Sequence, residues 1–111
     1  MTRSDGPVLE LDADGFEEGA VRRSTRVPVV VDFHAGWCGP CQTLGPILEE
    51  TVREQAGAVV LVRVDVDRNP ELAQAYGVRA IPTVKALVGG RVVRELHGSA
   101  TVAQLRGFVA S

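Results

Sequence analysis

Val29-Val30-Val31-Asp32-Phe33-His34-Ala35-Gly36-Trp37-Cys38-Gly39-Pro40-Cys41 is the stretch that decides this chain. Its first half is apolar and β-branched, the pattern of a central strand covered on both faces. Its second half carries the only two cysteines of the protein, separated by two residues. Two thiols at that spacing can close a disulfide across one helical turn and reopen it. The chain therefore reads as a dithiol carrier working by thiol–disulfide exchange. A static disulfide or half a zinc site is the alternative. Two cysteines exclude a four-cysteine site, and His34 and His97 lack the H-x3–5-H spacing of a Cys2His2 site, so no metal is expected.

Outward from this centre, strand and helix signals alternate. Residues 1–7 read as a flexible leader, polar and ending in Gly6-Pro7, with the folded domain over 8–111. Val8 to Leu11 reads as a short edge strand. Asp14-Gly15-Phe16-Glu17 has the form of a capping box, with Asp14 as N-cap of a helix reaching about Arg23. Residues 38–56 carry helical spacing through Leu44, Ile47, Leu48 and Val52, and Pro46 interrupts it. Val59 to Val66 is a second buried strand. Asn69-Pro70 opens a short helix with proline at its first position. Thr83–Val88 and Arg91–His97 form a hairpin across Gly89-Gly90. Thr101-Val102-Ala103-Gln104 is a second capping box, opening a helix with the stripe Val102, Leu105, Phe108 and Val109. The pattern predicts an α/β fold with a mixed central sheet.

Composition sets the outer limits. The chain has 111 residues, enough for one domain, with 45% apolar residues and a formal charge of -2. A basic footprint for nucleic acid is missing. No apolar run approaches the roughly 20 residues that span a bilayer. The polar N-terminus lacks the apolar core of a secretory signal, so the expected compartment is the cytosol. A lone CxxC pair in a reducing compartment is more often catalytic or metal-binding than structural.

The chemistry follows from three positions. Cys38 would sit where a helix begins, with unpaired N–H groups and the positive end of the dipole favouring the thiolate. It is expected to be the exposed attacker, with Cys41 shielded one turn along and acting as the resolving thiol. Gly39 and Pro40 restrict the turn between them. Asp32 is a carboxylate within an apolar strand, where burial raises its pKa. Beneath a dithiol it is a proton acceptor for the second thiol; as a strand-end residue it would simply reach water. Ile81-Pro82-Thr83 starts a strand, and Pro82 is either a plain boundary or a cis proline.

With these residues in view, the chain resembles the thioredoxin family. Trp37-Cys38-Gly39-Pro40-Cys41 is identical to its active-site motif, for which thioredoxin is itself the standard example of CxxC acidity and redox poise. Further matches are Val31-Asp32-Phe33, Ala35, Pro46-Ile47-Leu48, Asp65-Val66-Asp67, Asn69-Pro70, Tyr76-Gly77-Val78, Ile81-Pro82-Thr83, Gly90 and Gly98, spanning roughly Val8 to Ala110. The resemblance implies a thioredoxin fold, a mixed sheet of about five strands flanked by about four helices. It implies Cys38 as nucleophile, Cys41 as resolving thiol, Asp32 as buried acid/base and Pro82 as the cis proline. The backbone of Ile81 would pair with a bound substrate chain. Trp37, Gly39, Pro40, Ala80, Gly98 and Ser99 would line the contact surface. Arg63 replaces the lysine many members carry near the buried Asp, and its guanidinium does not deprotonate. His34 replaces a frequent Trp, placing either a titrating group near the dithiol or a side chain packed under the loop. Gln42 replaces a frequent Lys, and Gly36 leaves the approach to Trp37 bare. Lys85, within a strand, implies a wet face or a snorkelling stem.

By the same resemblance the protein is a cytosolic monomer that reduces protein disulfides. It needs no cofactor beyond its cysteine pair, and electrons come from NADPH through a flavin-bearing thioredoxin reductase. Clients would be of the ribonucleotide reductase, peroxiredoxin and methionine sulfoxide reductase types. Nucleic acid and membrane are not expected partners. A disulfide oxidant or isomerase is a second reading, opposed by the Gly39-Pro40 dipeptide and the absent signal. A non-enzymatic binding module, or a dedicated redox partner of one protein, is a third.

Overall fold

The computed structural model describes residues 3–110, leaving Met1, Thr2 and Ser111 outside. Six strands form one mixed sheet: β1 (Arg3–Asp5), β2 (Val8–Glu10), β3 (Val29–His34), β4 (Val60–Asp65), β5 (Thr83–Val88) and β6 (Arg91–His97), ordered β1-β2-β4-β3-β5-β6. β4 runs parallel to both β2 and β3, and β5 is antiparallel to β3 and β6. Five of these strands, β2 to β6, make the sheet the sequence implies. The sixth corrects the reading of residues 1–7 as a leader. Arg3–Asp5 pairs antiparallel with β2 across Gly6-Pro7, with Gly6 at φ +62°. A polar composition does not disfavour this, because an edge ladder is built from backbone groups that need partners. β2 is consequently not the edge strand.

Two apolar layers follow from the period of two. Val8, Val30, Leu61, Val84 and Ala86 point to one face, where helix α2 (Gly39–Glu54) covers them with Leu44, Leu48 and Val52, and helix α4 (Val102–Ala110) adds Leu105, Phe108 and Val109. Leu9, Val29, Val31, Phe33, Val60 and Val62 point to the other, beneath Phe16, Ala20 and Ala73. Phe16 and Tyr76 stack edge to face at 5.3 Å between centroids.

The N-terminal helix departs from expectation. α1 begins at Ala13, with Asp12 as its N-cap residue and Asp14 inside the first turn, and runs to Phe16. A π-helical turn over Glu17–Arg22 and a 3-10 turn over Arg23–Thr25 continue it. The expected Asp14–Glu17 box does not form because a distant residue caps instead: the Ala13 N–H donates to Asn69 Oδ1 at 2.8 Å. Asn69 Nδ2 in turn donates to Asp12 Oδ1 at 3.1 Å, which holds the Asp12 carboxyl below its ordinary pKa.

Elsewhere the local signals are realised. The short helix α3 (Pro70–Ala75) has Pro70 in its first turn, and Pro46 lies inside α2. Gly89 and Gly90, at φ +62° and +82°, turn the β5–β6 hairpin. The Thr101–Gln104 box is reciprocal: Gln104 N–H donates to Thr101 Oγ1 at 3.1 Å and Thr101 N–H to Gln104 Oε1 at 2.8 Å. Val102 stays exposed and so leaves the apolar stripe of α4. Lys85 is buried with its whole side chain, neither on a wet face nor snorkelling, because its ammonium donates to Glu95 on β6 at 2.5 Å.

Candidate functional site

The cysteines sit at the junction of β3 and α2. Cys38 is the N-cap residue of α2, in extended conformation, and its Sγ accepts a hydrogen bond from Cys41 N–H at 3.2 Å. A thiol at a 16-residue helix's N-terminus receives an unpaired N–H and the positive end of the dipole, and both favour the thiolate once the pair is reduced. Cys38 and Cys41 are joined as a disulfide with Cα atoms 5.2 Å apart. Cys38 keeps 4% of its surface and Cys41 none. The order of access is as expected, but Cys38 is far less open than an exposed attacker.

Around the pair, Ala35, Val66 and Ile81 form an apolar collar. Trp37 stands out from the surface at 70% exposure. Its indole Nε1–H donates to Asp67 Oδ2 at 2.7 Å, which fixes the ring's direction. Gln42 Nε2 donates to the Gly36 carbonyl at 3.3 Å and fastens the loop before the motif. The Ile81–Pro82 bond is cis. Gly98, at φ +76°, donates its N–H to the Pro82 carbonyl at 2.9 Å, a left-handed conformation that favours glycine. Thr83 Oγ1 donates to the Ala80 carbonyl at 2.7 Å. The 80–83 turn and the end of β6 are thereby tied together, with Ala80 and Ser99 exposed beside them and Gly39 and Pro40 exposed at the start of α2.

Asp32 lies wholly buried on the α2 face of β3. Burial pushes its carboxyl pKa up, against the opposing pull of Arg63. Arg63, opposite it in register on β4, donates from Nε to Asp32 Oδ2 at 3.1 Å. The other oxygen, Oδ1, has no hydrogen-bond partner among the described residues. Arg63 also reaches Glu49 Oε2 on α2 at 3.6 Å. It passes over Gly45, where a Cβ would come within 2.8 Å of its guanidinium. His34 Nε2 meets Glu10 Oε2 at 3.2 Å.

The sequence-derived residues thus converge from four segments: 32–41, 63–67, 80–83 and 97–99. Sequence reasoning missed Val66, Asp67, Gly45 and Glu10. Only Asp67 had a local signal, an acidic residue closing a strand end two positions after Asp65. Among the described residues no group of three or more His, Cys, Asp or Glu side chains is placed to hold a metal ion, and no helix is long and apolar enough to cross a membrane.

A helix-capping cysteine pair, placed after a strand that carries a buried carboxylate and packed against the residue that leads into a cis proline, defines a disulfide-exchange protein. The family model named Thioredoxin matches residues 7–111. A probable thioredoxin-2 of Caenorhabditis elegans is 45% identical over 103 residues, covering 92% of this chain and 70% of that protein. The mitochondrial thioredoxin of Bos taurus is 47% identical over 98 residues, covering 88% of this chain and 58% of its own. A thioredoxin of Chlorobaculum thiosulfatiphilum is 44% identical over 71 residues, 64% of this chain and 66% of that protein. The chain belongs to the thioredoxin family. It is a thiol–disulfide oxidoreductase by fold, family and cysteine pair, and thioredoxins carry no cofactor.

Proposed function

We propose that this chain reduces protein disulfides, with Cys38 as nucleophile, Cys41 as resolving thiol and Asp32 as the acid/base between them. The observation that carries the reading is the Cys38–Cys41 pair capping α2. In the reduced state the Cys38 thiolate attacks one sulfur of a client disulfide, and that bond breaks to give a mixed disulfide and a client thiolate. Asp32 then accepts the Cys41 proton. The Cys41 thiolate attacks Cys38 Sγ, the Cys38–client bond breaks, and the second client thiolate leaves with its electron pair. Both client thiolates take protons from water or from Asp32. Two electrons have passed to the client, and the pair is again closed.

Trp37, Gly39, Pro40, Ala80, Gly98 and Ser99 supply the contact surface in this reading, and the backbone at Ile81 receives the client chain. Arg63 holds Asp32 from β4 without itself exchanging a proton. A thioredoxin reductase carrying flavin and NADPH reopens the pair. Ribonucleotide reductase, peroxiredoxin and methionine sulfoxide reductase types are the proposed clients. Cys38, Cys41 and Asp32 all belong to this chain, and it is proposed to act as a monomer. Its two-cysteine composition supports a reducing compartment, the cytosol in this proposal. Insulin disulfide reduction with dithiothreitol as donor tests the reading. Turnover by the wild type that disappears in Cys38→Ser is the expected result. Equal rates would overturn it and favour a binding module with an inherited site.

A further inference from the structure

Three parallel strands end together beside the dithiol. Glu10 is the last residue of β2, His34 of β3 and Asp65 of β4. Glu10, Arg63 and Asp32 form one cross-strand row, in register on β2, β4 and β3, so their side chains share a face. His34, two residues beyond Asp32 on the same strand, shares it too. The His34 ring is mostly covered, at 13% exposure, and its Nε2 lies 3.2 Å from Glu10 Oε2. A recess of about 280 Å³ opens there, lined by Glu10, Asp12, His34, Asp65 and Arg68. The His34–Glu10 pair therefore shares a sheet face with the buried carboxylate of Asp32, whose Oδ1 has no hydrogen-bond partner among the described residues.

We propose that Glu10 and His34 are positioning residues that act on Asp32 in opposite senses and so set the pH range of disulfide exchange, a role that rests on the exchange reading above. The charged groups that enter the balance are Arg63 from β4, Glu49 behind it on α2, His34 on Asp32's own strand and Glu10 from β2, with Asp12, Asp65 and Arg68 lining the recess beside the His34–Glu10 pair. Arg63 brings a guanidinium, which does not deprotonate, and Glu49 stands behind it. The remaining charge of the row depends on whether the His34 ring carries a proton. With His34 cationic the pair is neutral. With His34 neutral, the charge of Glu10 is no longer offset by the ring and favours the protonated form of Asp32. The direction agrees with burial-raised Asp32, which His34 pulls down and Glu10 pushes up. Loss of the His34 proton thus makes Asp32 hold its own more firmly. The two ionisations are coupled and spread over a wider pH range than one carboxyl would.

The test is the rate of insulin disulfide reduction by the full chain over about pH 5 to 8, for wild type, Glu10→Gln and His34→Gln. Exchange fails on the acid side as Asp32 takes up a proton. Glu10→Gln should move that acid limb to lower pH and His34→Gln to higher pH, each by about half a unit. A merely structural role would lower the rate without displacing the limb. Limbs that stay in place, or move the same way, overturn the proposal. Should an amide variant fail to fold, the carboxyl NMR titration of Asp32 in reduced wild type decides: a second inflection coinciding with the His34 ring signals supports the pair, and a single inflection overturns it. Wild type without dithiol-dependent turnover would sink the exchange reading instead, leaving that titration to judge the pair.

Discussion

Replacing Asp32 by asparagine should stabilise the protein while slowing it. Asp32 has no exposed surface, one oxygen bonded to Arg63 and one with no partner among the described residues. A buried, unsatisfied polar atom costs about 1–3 kcal/mol, and a charged one sits toward the upper end. The asparagine of Asp32→Asn would keep an acceptor for the Arg63 Nε–H and leave a neutral amide where the bare oxygen stood. Arg63 would not be orphaned, because it is 19% exposed and lies 3.6 Å from Glu49. The expected gain near neutrality is about 2 kcal/mol. Its pH dependence identifies the cause. The folded carboxyl has its pKa raised above the ordinary 3.8. Below that value both states of the wild type hold the proton, and wild type and variant should be alike. As pH rises past it the unfolded chain ionises and the folded one resists. The wild type then loses about 1.4 kcal/mol per pH unit until the raised pKa is passed. The variant's advantage must open over that window and level off above it. Urea unfolding of the oxidised forms at a series of pH values measures this. A variant less stable at neutral pH would show that the Asp32–Arg63 pair is a net stabiliser and refute the reasoning. A difference that ignores pH would do the same.

Four further perturbations probe other links. Gly45→Ala places a Cβ 2.8 Å from the Arg63 guanidinium; the flexible arginine should swing aside at a stability cost of about 1 kcal/mol or less, and the acid limb of exchange should rise as Asp32 loses its partner. An unmoved limb would mean that Arg63 does not act on Asp32. Thr101→Ala removes the acceptor of the Gln104 N–H and should lower stability by about 1 kcal/mol in urea titrations, with exchange unchanged. Ala56→Gly relieves a non-glycine residue at φ +53° and should raise stability by about 0.5–1 kcal/mol; a loss would contradict the strain. Gly98→Ala forces a side chain to φ +76° beside the Pro82 carbonyl, costing about 1–2 kcal/mol and weakening client exchange at low insulin concentration more than at saturation.

What was legible in the sequence is what neighbours along the chain decide. Gly89-Gly90 between alternating residues gave β5 and β6 at the observed bounds, and Thr101 with Gln104 gave the cap of α4. Asp32 announced itself because a carboxylate among valines must be paired or protonated to stay there. What stayed hidden rests on partners far apart in sequence. Asn69 caps Ala13 across 56 residues, overriding a sound local box at Asp14. Asp67 holds Trp37 across 30, and Glu10 meets His34 across 24. The first strand was illegible for another reason: a three-residue edge ladder needs only backbone, so the residue types of Arg3–Asp5 carry no trace of it.

The direction of the strands has a practical corollary. β3 and β4 run toward the cysteines and β5 runs away from them, so every exchange group gathers at one pole. The turn after α2, at Ala56 and Gly57, belongs to the other, since β4 begins just beyond it. Gly57 itself holds φ +91° and suits only glycine, but the next residue, Ala58, is exposed and already carries a side chain. A spectroscopic label, a surface linker or a fused cargo joined there would leave the reactive pole free, and the chain can be immobilised by its inert end while its sulfurs continue to meet clients.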